Sequence, residues 1–185
     1  MKLYLVQHAK AASKEADPER PLTEEGLQDI RKISAFIKPL NLCVDYLWHS
    51  GKKRAEQTSN VLAEVIRINK GKTASEGLGP SDDVKVLKDK LSTSKQDIMI
   101  VGHLPFLSKL VSLLLAGSES ANIVAFKQGG IVCLNRDEQN QSFDKPKMAS
   151  KPVLPGYGTL RRDESTVEGV EPWQLEWMVI PELLT

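Results

Sequence analysis

Three places along the chain join a short apolar run to a residue able to handle phosphate. His8 follows Lys2-Leu3-Tyr4-Leu5-Val6, and Arg54 follows Val44-Asp45-Tyr46-Leu47-Trp48 by way of Ser50 to Lys53. His103 follows Asp97-Ile98-Met99-Ile100-Val101. A phosphoryl group carries about −1.5 to −2 charge at neutral pH. An arginine fork holds two of its oxygens at once, and a helix N-terminus adds free amides. An imidazole with one unprotonated nitrogen can attack phosphorus, provided a hydrogen bond at the other nitrogen sets its direction. This chemistry requires no metal.

Taken singly, each residue has a plainer use. A lone histidine after a strand is more often a satisfied structural residue, and two such positions with an arginine bring the two readings level. Lys52 and Lys53 read as a solvated basic turn, and His49 as local packing. Three histidines also raise the question of a metal site. None stand at i, i+4 spacing, and no Cys or acidic residue falls at ligand spacing beside them. Gly71-Lys72-Thr73 ends like a nucleotide-binding loop, but Ile66 stands where that loop needs its first glycine.

The elements that would position these residues follow from the hydrophobic pattern. Leu3 to Val6 reads as a buried strand, and Lys10 to Arg20 as a polar loop. Pro21-Leu22-Thr23-Glu24-Glu25 announces a helix capped by Thr23, with Leu27, Ile30, Ile33 and Ile37 on its apolar face. Val44 to Trp48 is the next strand. A helix from about Arg54 follows, with Val61, Leu62, Val65 and Ile66 facing inward. Ile68 to Pro80 reads as a loop, Val84, Leu87 and Leu91 as a short helix, and Asp97 to Val101 as a strand. A helix with Leu107, Leu110, Val111, Leu114 and Leu115 inside comes after Pro105. Strands are expected at Ile123 to Phe126, at Ile131 to Leu134, and at Trp173 to Trp177, where apolar residues alternate. Strands alternating with helices predict a three-layer α/β fold, its central sheet mostly parallel and flanked by helices on both faces. In such a sheet ligands gather beyond the carboxyl ends of the strands, where His8, Arg54 and His103 stand.

The 185 residues suffice for one well-cored domain and are too few for two. Residues 1–185 therefore read as one domain carrying a polar insertion at about 136–171. This stretch is rich in Lys, Pro, Gly, Ser and Gln and contains a candidate hairpin around Pro155-Gly156-Tyr157-Gly158. A net charge of +1 offers no global field for nucleic acid or an anionic membrane. Cys43 and Cys133 lie among apolar neighbours and read as reduced, buried thiols. No apolar run approaches the ~20 residues that span a bilayer, and the run after Lys2 is too short for a signal peptide. The Asn140-Gln141-Ser142 sequon then carries no weight, and a cytoplasmic monomer is expected.

Four ordered blocks resemble the histidine phosphatase (phosphoglycerate mutase-like) superfamily. Gln7-His8-Ala9 is similar to its Arg-His-Gly signature, and Pro21-Leu22-Thr23-Glu24-Glu25-Gly26 to its PLT..G segment. Ser50 to Thr58 resembles its S...RA.QT segment, and Gly102-His103-Leu104-Pro105 the block of its second histidine. Trp173 to Trp177 followed by Pro181 is similar to the closing strand of the short, SixA-type phosphohistidine phosphatases. The resemblance implies His8 as nucleophile, Arg54 as phosphoryl ligand and His103 as a donor to the developing charge, with Gln7 and Ser50 at the substrate. It implies no cofactor and no metal. The implied substrate is a phosphohistidine on a phosphorelay carrier protein or, failing that, a small phosphomonoester.

The chain departs from the pattern at three points. Gln7 replaces an arginine, a loss that by analogy with an oxyanion donor costs on the order of 10²–10³ in rate, about 3–4 kcal/mol. Ala9 replaces a glycine. Gly77-Leu78-Gly79-Pro80 lies where many members carry a proton-donating glutamate, with Glu76, Asp82 and Asp83 nearby. The missing acid favours an N–P substrate, since imidazole leaves more readily than an alkoxide. The neutral Gln7 keeps open a module that binds phosphorylated partners without turning them over.

Overall fold

Successive side chains of a strand point to opposite faces, and that alternation divides the core in two. The computed structural model describes residues 1–136 and 173–184, and the structural statements below refer to these. Strand β1 (Lys2–Gln7) sends Leu3 and Leu5 to one face and Tyr4 and Val6 to the other. Strand β4 (Ile98–Gly102), buried along its whole length, divides Ile98 and Ile100 from Met99 and Val101 in the same way.

Against the first face pack α3 (Val84–Ser92), through Val84, Leu87 and Leu91, and α4 (Phe106–Ala116), through Phe106, Leu107, Leu110, Val111 and Leu114. Against the second pack α1 (Glu24–Ile37), through Ile30, Ile33 and Ile37, and α2 (Lys53–Ala63), through Ala55 and Leu62. Each fully buried Leu or Ile contributes roughly 1.5–3 kcal/mol relative to exposure, so each layer is held by its own apolar stripe. The expected cap is present at α1, where the Gly26 amide donates to Thr23 Oγ1 at 3.0 Å.

The sheet has the order β3-β2-β4-β1-β5-β6, with β2 (Cys43–His49), β3 (Arg67–Ala74), β5 (Ile131–Arg136) and β6 (Trp173–Val179) completing it. Strands β1 to β4 are mutually parallel, while β5 runs antiparallel to β1 and β6 antiparallel to β5. This is the three-layer, mostly parallel α/β fold read from the sequence.

Three local expectations fail. Residues 68–74, expected as loop, belong to β3, which pairs with β2 from Cys43↔Arg67 to His49↔Ala74. Backbone bonds to β2 make this edge strand, whose side chains Arg67, Lys70 and Lys72 are polar, as suits an edge facing water. Ile123 to Phe126, expected as a strand, joins no sheet. The segment contributes the buried side chains of Val124 and Phe126 to the core instead of a ladder. Val65 and Ile66 lie beyond the end of α2, in the turn that leads to β3.

Arg136, read as the start of the polar insertion, ends β5. Its Nη1 donates to the carbonyls of Leu91 (2.9 Å) and Ser92 (3.1 Å), and its Nη2 to that of Ser94, closing the C-terminal end of α3. The rest of the insertion and its candidate hairpin lie outside the described residues.

Candidate active site

The register of the sheet assembles the site. Strands β1 and β4 pair Gln7 with Gly102, so the residues that leave them, His8 and His103, emerge as neighbours. The His8 amide donates to the Gly102 carbonyl at 3.1 Å, and the two imidazole rings stand 4.8 Å apart. On the other side of β4, His49 pairs with Val101, which delivers Ser50 to His103. Ser50 Oγ lies 2.5 Å from His103 Nε2. Arg54, in the first turn of α2, donates from Nε to His8 Nε2 at 3.1 Å. Four of the expected site residues, His8, Ser50, Arg54 and His103, thus meet beyond the carboxyl ends of three parallel strands.

The hydrogen bonds define the state of His8. Its Nδ1 lies 2.8 Å from the Ala9 carbonyl oxygen, which can only accept, so Nδ1 carries the proton. Nε2 is left with a lone pair that accepts from Arg54. Burial pushes His8 down to about 4, with the nearby charges of Arg54 and Arg20 adding to the shift against the opposing Ala9 bond. His103 is pushed down to about 3, first by burial and then by the charges around His8, Arg54, Lys52 and Arg20. At neutral pH both imidazoles are uncharged, and His8 presents a nucleophilic nitrogen held in one tautomer.

The remaining blocks hold this arrangement in place. The Ala9 amide donates to Thr58 Oγ1 at 3.1 Å, and the Thr58 hydroxyl donates to the Arg54 carbonyl at 2.7 Å. Thr58 thus ties the chain leaving the nucleophile to the helix that carries the arginine. Gln57 Oε1 accepts from the Leu22 amide at 2.7 Å, anchoring the end of the β1–α1 loop to α2. At Gly26 a Cβ would come 2.1 Å from the Lys10 carbonyl oxygen, so only glycine lets α1 approach the backbone just past His8. Ala9 is fully buried in the core beneath α1 and α2, which absorbs its methyl.

Gln7 is placed differently. Its side chain, 8% exposed, lines a cavity of about 680 Å³ with Lys10, Lys32, Phe126 and Lys127, and its Oε1 has no hydrogen-bond partner. Ser50 and Lys52 line a second cavity of about 500 Å³ together with Glu76 and Asp82. Asp82 accepts from the Gly79 amide at 2.6 Å and Asp83 caps α3 at the Lys85 amide at 2.9 Å, so both are engaged in local structure. His49 is buried and accepts from the Gly51 amide at 3.3 Å, a packing role. Lys10 pairs with Glu25, and Lys53 lies 3.7 Å from Glu56. Among the described residues no three His, Cys, Asp or Glu side chains converge as a metal site, and no helix is long and apolar enough to cross a membrane.

No protein-family model matches the chain. Phosphohistidine phosphatase SixA of Escherichia coli (strain K12) is 25% identical over 122 residues, spanning 63% of this chain and 76% of the relative. The solved structure of the protein histidine phosphatase SixA complexed with tungstate matches with a TM-score of 0.72 at 19% identity, covering 100% of both chains.

The chain is similar in sequence to a SixA-type histidine phosphatase and shares the fold of that group.

The fold extends to members with other names. The alpha-ribazole phosphatase of Shigella flexneri matches with a TM-score of 0.61 at 16% identity, over 75% of this chain and 92% of that one. Fold alone therefore does not choose the substrate. Sequence alone assigns Thr58 and Gln57 no role, and the structure shows what they bind. Arg20, read as loop, was missed altogether; its charge bears on His8, Arg54 and His103. Its place directly before the Pro21-Leu22-Thr23 segment was the available signal.

Proposed function

We propose that this protein is a phosphatase of protein phosphohistidine, working through a covalent intermediate on His8. The observation that supports the reading is the committed lone pair of His8 Nε2, with Nδ1–H held by the Ala9 carbonyl and Nε2 facing Arg54. When a phosphorylated carrier docks, Nε2 attacks phosphorus and the P–N bond to the carrier imidazole breaks. That imidazole leaves with a proton, and His8 becomes a phosphohistidine. Water then attacks the same phosphorus, the His8–P bond breaks, and inorganic phosphate departs. Arg54 transfers its donated hydrogen bond from the nucleophile to the phosphoryl oxygens, and His103 donates to the charge that grows on them. The name borne by the SixA relatives favours the phosphohistidine substrate. So does the engagement of Asp82 in a turn and of Asp83 in a helix cap, because a leaving imidazole needs an acid less than a leaving alkoxide does.

A second reading has one observation behind it. Glu76 lines the cavity that Ser50 shares, where an acid could protonate the oxygen of a small phosphoester. We place the protein in the cytoplasm, acting as a monomer on a partner's surface. Phosphate release from a phosphohistidine-bearing carrier domain, measured beside nitrophenyl phosphate, tests the choice. Release from the carrier that is abolished in His8→Ala is expected. Faster turnover of the ester than of the carrier would overturn the phosphohistidine reading.

A further inference from the structure

Position 7 lacks the arginine of the superfamily pattern, and the neutral amide of Gln7 stands there, at the end of β1 that pairs with Gly102. The nearby lysines are poor replacements, since Lys10 is held by Glu25 and Lys53 lies beside Glu56. Arg20 is placed otherwise. The loop between β1 and α1 leaves His8 and folds back on itself. Ala11 and Leu22 form an antiparallel bridge, the Ala12 amide donates to the Pro21 carbonyl at 2.8 Å, and the Thr23 amide donates to the Lys10 carbonyl at 2.9 Å. Arg20 therefore lies on the segment facing the chain that leaves the nucleophile, and its side chain reaches Ala12, four residues past His8. Two residues further on, the Leu22 amide is bound by Gln57, one turn along α2 from Arg54. Arg20 is thus held between the chain leaving His8 and the helix bearing Arg54.

Its side chain is anchored as well as placed. Arg20 Nε donates to the Ala12 carbonyl at 3.1 Å, and its Nη groups have neither acceptor nor ion pair among the described residues. The backbone at Arg20 has φ +52°, a left-handed conformation that arginine seldom adopts and that the closed loop enforces. His8, Arg54 and His103 all feel its charge. A guanidinium pinned at Nε to the loop that leaves the nucleophile, with its Nη groups unengaged among the described residues, fits the oxygens of a phosphoryl group.

We propose that Arg20 is a second phosphoryl-binding guanidinium of this site and supplies the charge that Gln7 does not. The assignment rests on the phosphoryl-transfer reading above, but anion binding tests it without turnover. Tungstate titrated calorimetrically into the full chain is the probe, with Arg31→Ala on the exposed side of α1 as a control that should not change. Arg20→Gly suits the left-handed backbone, so the fold should survive, as a melting curve will check. It is expected to weaken tungstate binding roughly 10- to 100-fold. Arg20→Gln, which keeps most of the stem, should show the same loss if glycine loosens the loop. Adding Gln7→Arg to Arg20→Gly should restore most of the affinity, because the two positions would serve one charge. Unchanged binding in Arg20→Gly and Arg20→Gln, or no restoration by Gln7→Arg, overturns the proposal. Arg20-dependent tungstate binding in a protein that releases no phosphate from any substrate would keep Arg20 and sink the phosphatase reading.

Discussion

The ends of β1 and β4 carry the same side chain in the same crevice, yet they are wired differently. His8, 7% exposed, has both ring nitrogens engaged, one by the Ala9 carbonyl and one by Arg54. His103, 2% exposed, meets Ser50 at Nε2 and has no partner at its buried Nδ1. The backbone past His8 is clamped by Thr58 and by the approach of α1 at Gly26, whereas β4 runs within a few residues into α4. Burial keeps both imidazoles neutral, so charge does not separate their roles. A nucleophile needs one lone pair held in one direction, and the β1 end provides it. A donor to oxyanions needs an N–H that can turn to new negative charge, and the less constrained β4 end leaves His103 free to supply it.

The sharpest way to break this comparison is His103→Ala. Removal of a donor is expected to lower kcat by roughly 10²–10³, measured as phosphate release, and to leave His8 able to accept phosphate. A loss as deep as that of His8→Ala would mean that the two histidines act as one unit, and the contrast between them would be wrong. The pH dependence of stability separates the ends less sharply. In the unfolded chain an imidazole binds its proton near 6.5, whereas folded His8 does so only near 4. The stability held in neutral His8 is therefore intact above pH 6.5 and lost as pH falls towards 4. The difference of about 2.5 units corresponds to on the order of 3 kcal/mol. Thermal melts of His8→Asn should fall less steeply than those of the wild type across this window, and parallel curves would contradict the assignment. The smallest expected effect probes the clamp. Gly26→Ala places a methyl against the Lys10 carbonyl and should cost about 1–3 kcal/mol in chemical denaturation, with a fall in activity from the displaced β1 end. Unchanged stability would show that α1 does not restrain the nucleophile.

Legibility in the sequence followed the physics of each element. His8, Arg54 and His103 could be found because apolar runs mark buried strands, and ligands collect at the ends of such strands. Ser50 came with them, since it stands between β2 and α2. Strand β3 was hidden because edge pairing is made by the backbone, and its side chains read like those of a loop. Val124 and Phe126 misled in the opposite sense, being apolar and buried without joining a ladder. The aim of a side chain was not legible either. Nothing in the order of residues says that Gln7 is buried with its Oε1 unpartnered among the described residues, or that a left-handed Arg20 is fixed in the loop after the nucleophile by a bridge between Ala11 and Leu22.

The central claim is that His8 Nε2 carries the phosphoryl group in transit. Rapid acid-free quenching of the His103→Ala variant with a radiolabelled phosphocarrier, followed by peptide mapping, tests it most directly. An acid-labile label on the peptide containing His8, absent when His8→Ala is added, is the predicted result. Phosphate release without label on that peptide, or label on another residue, would contradict the account.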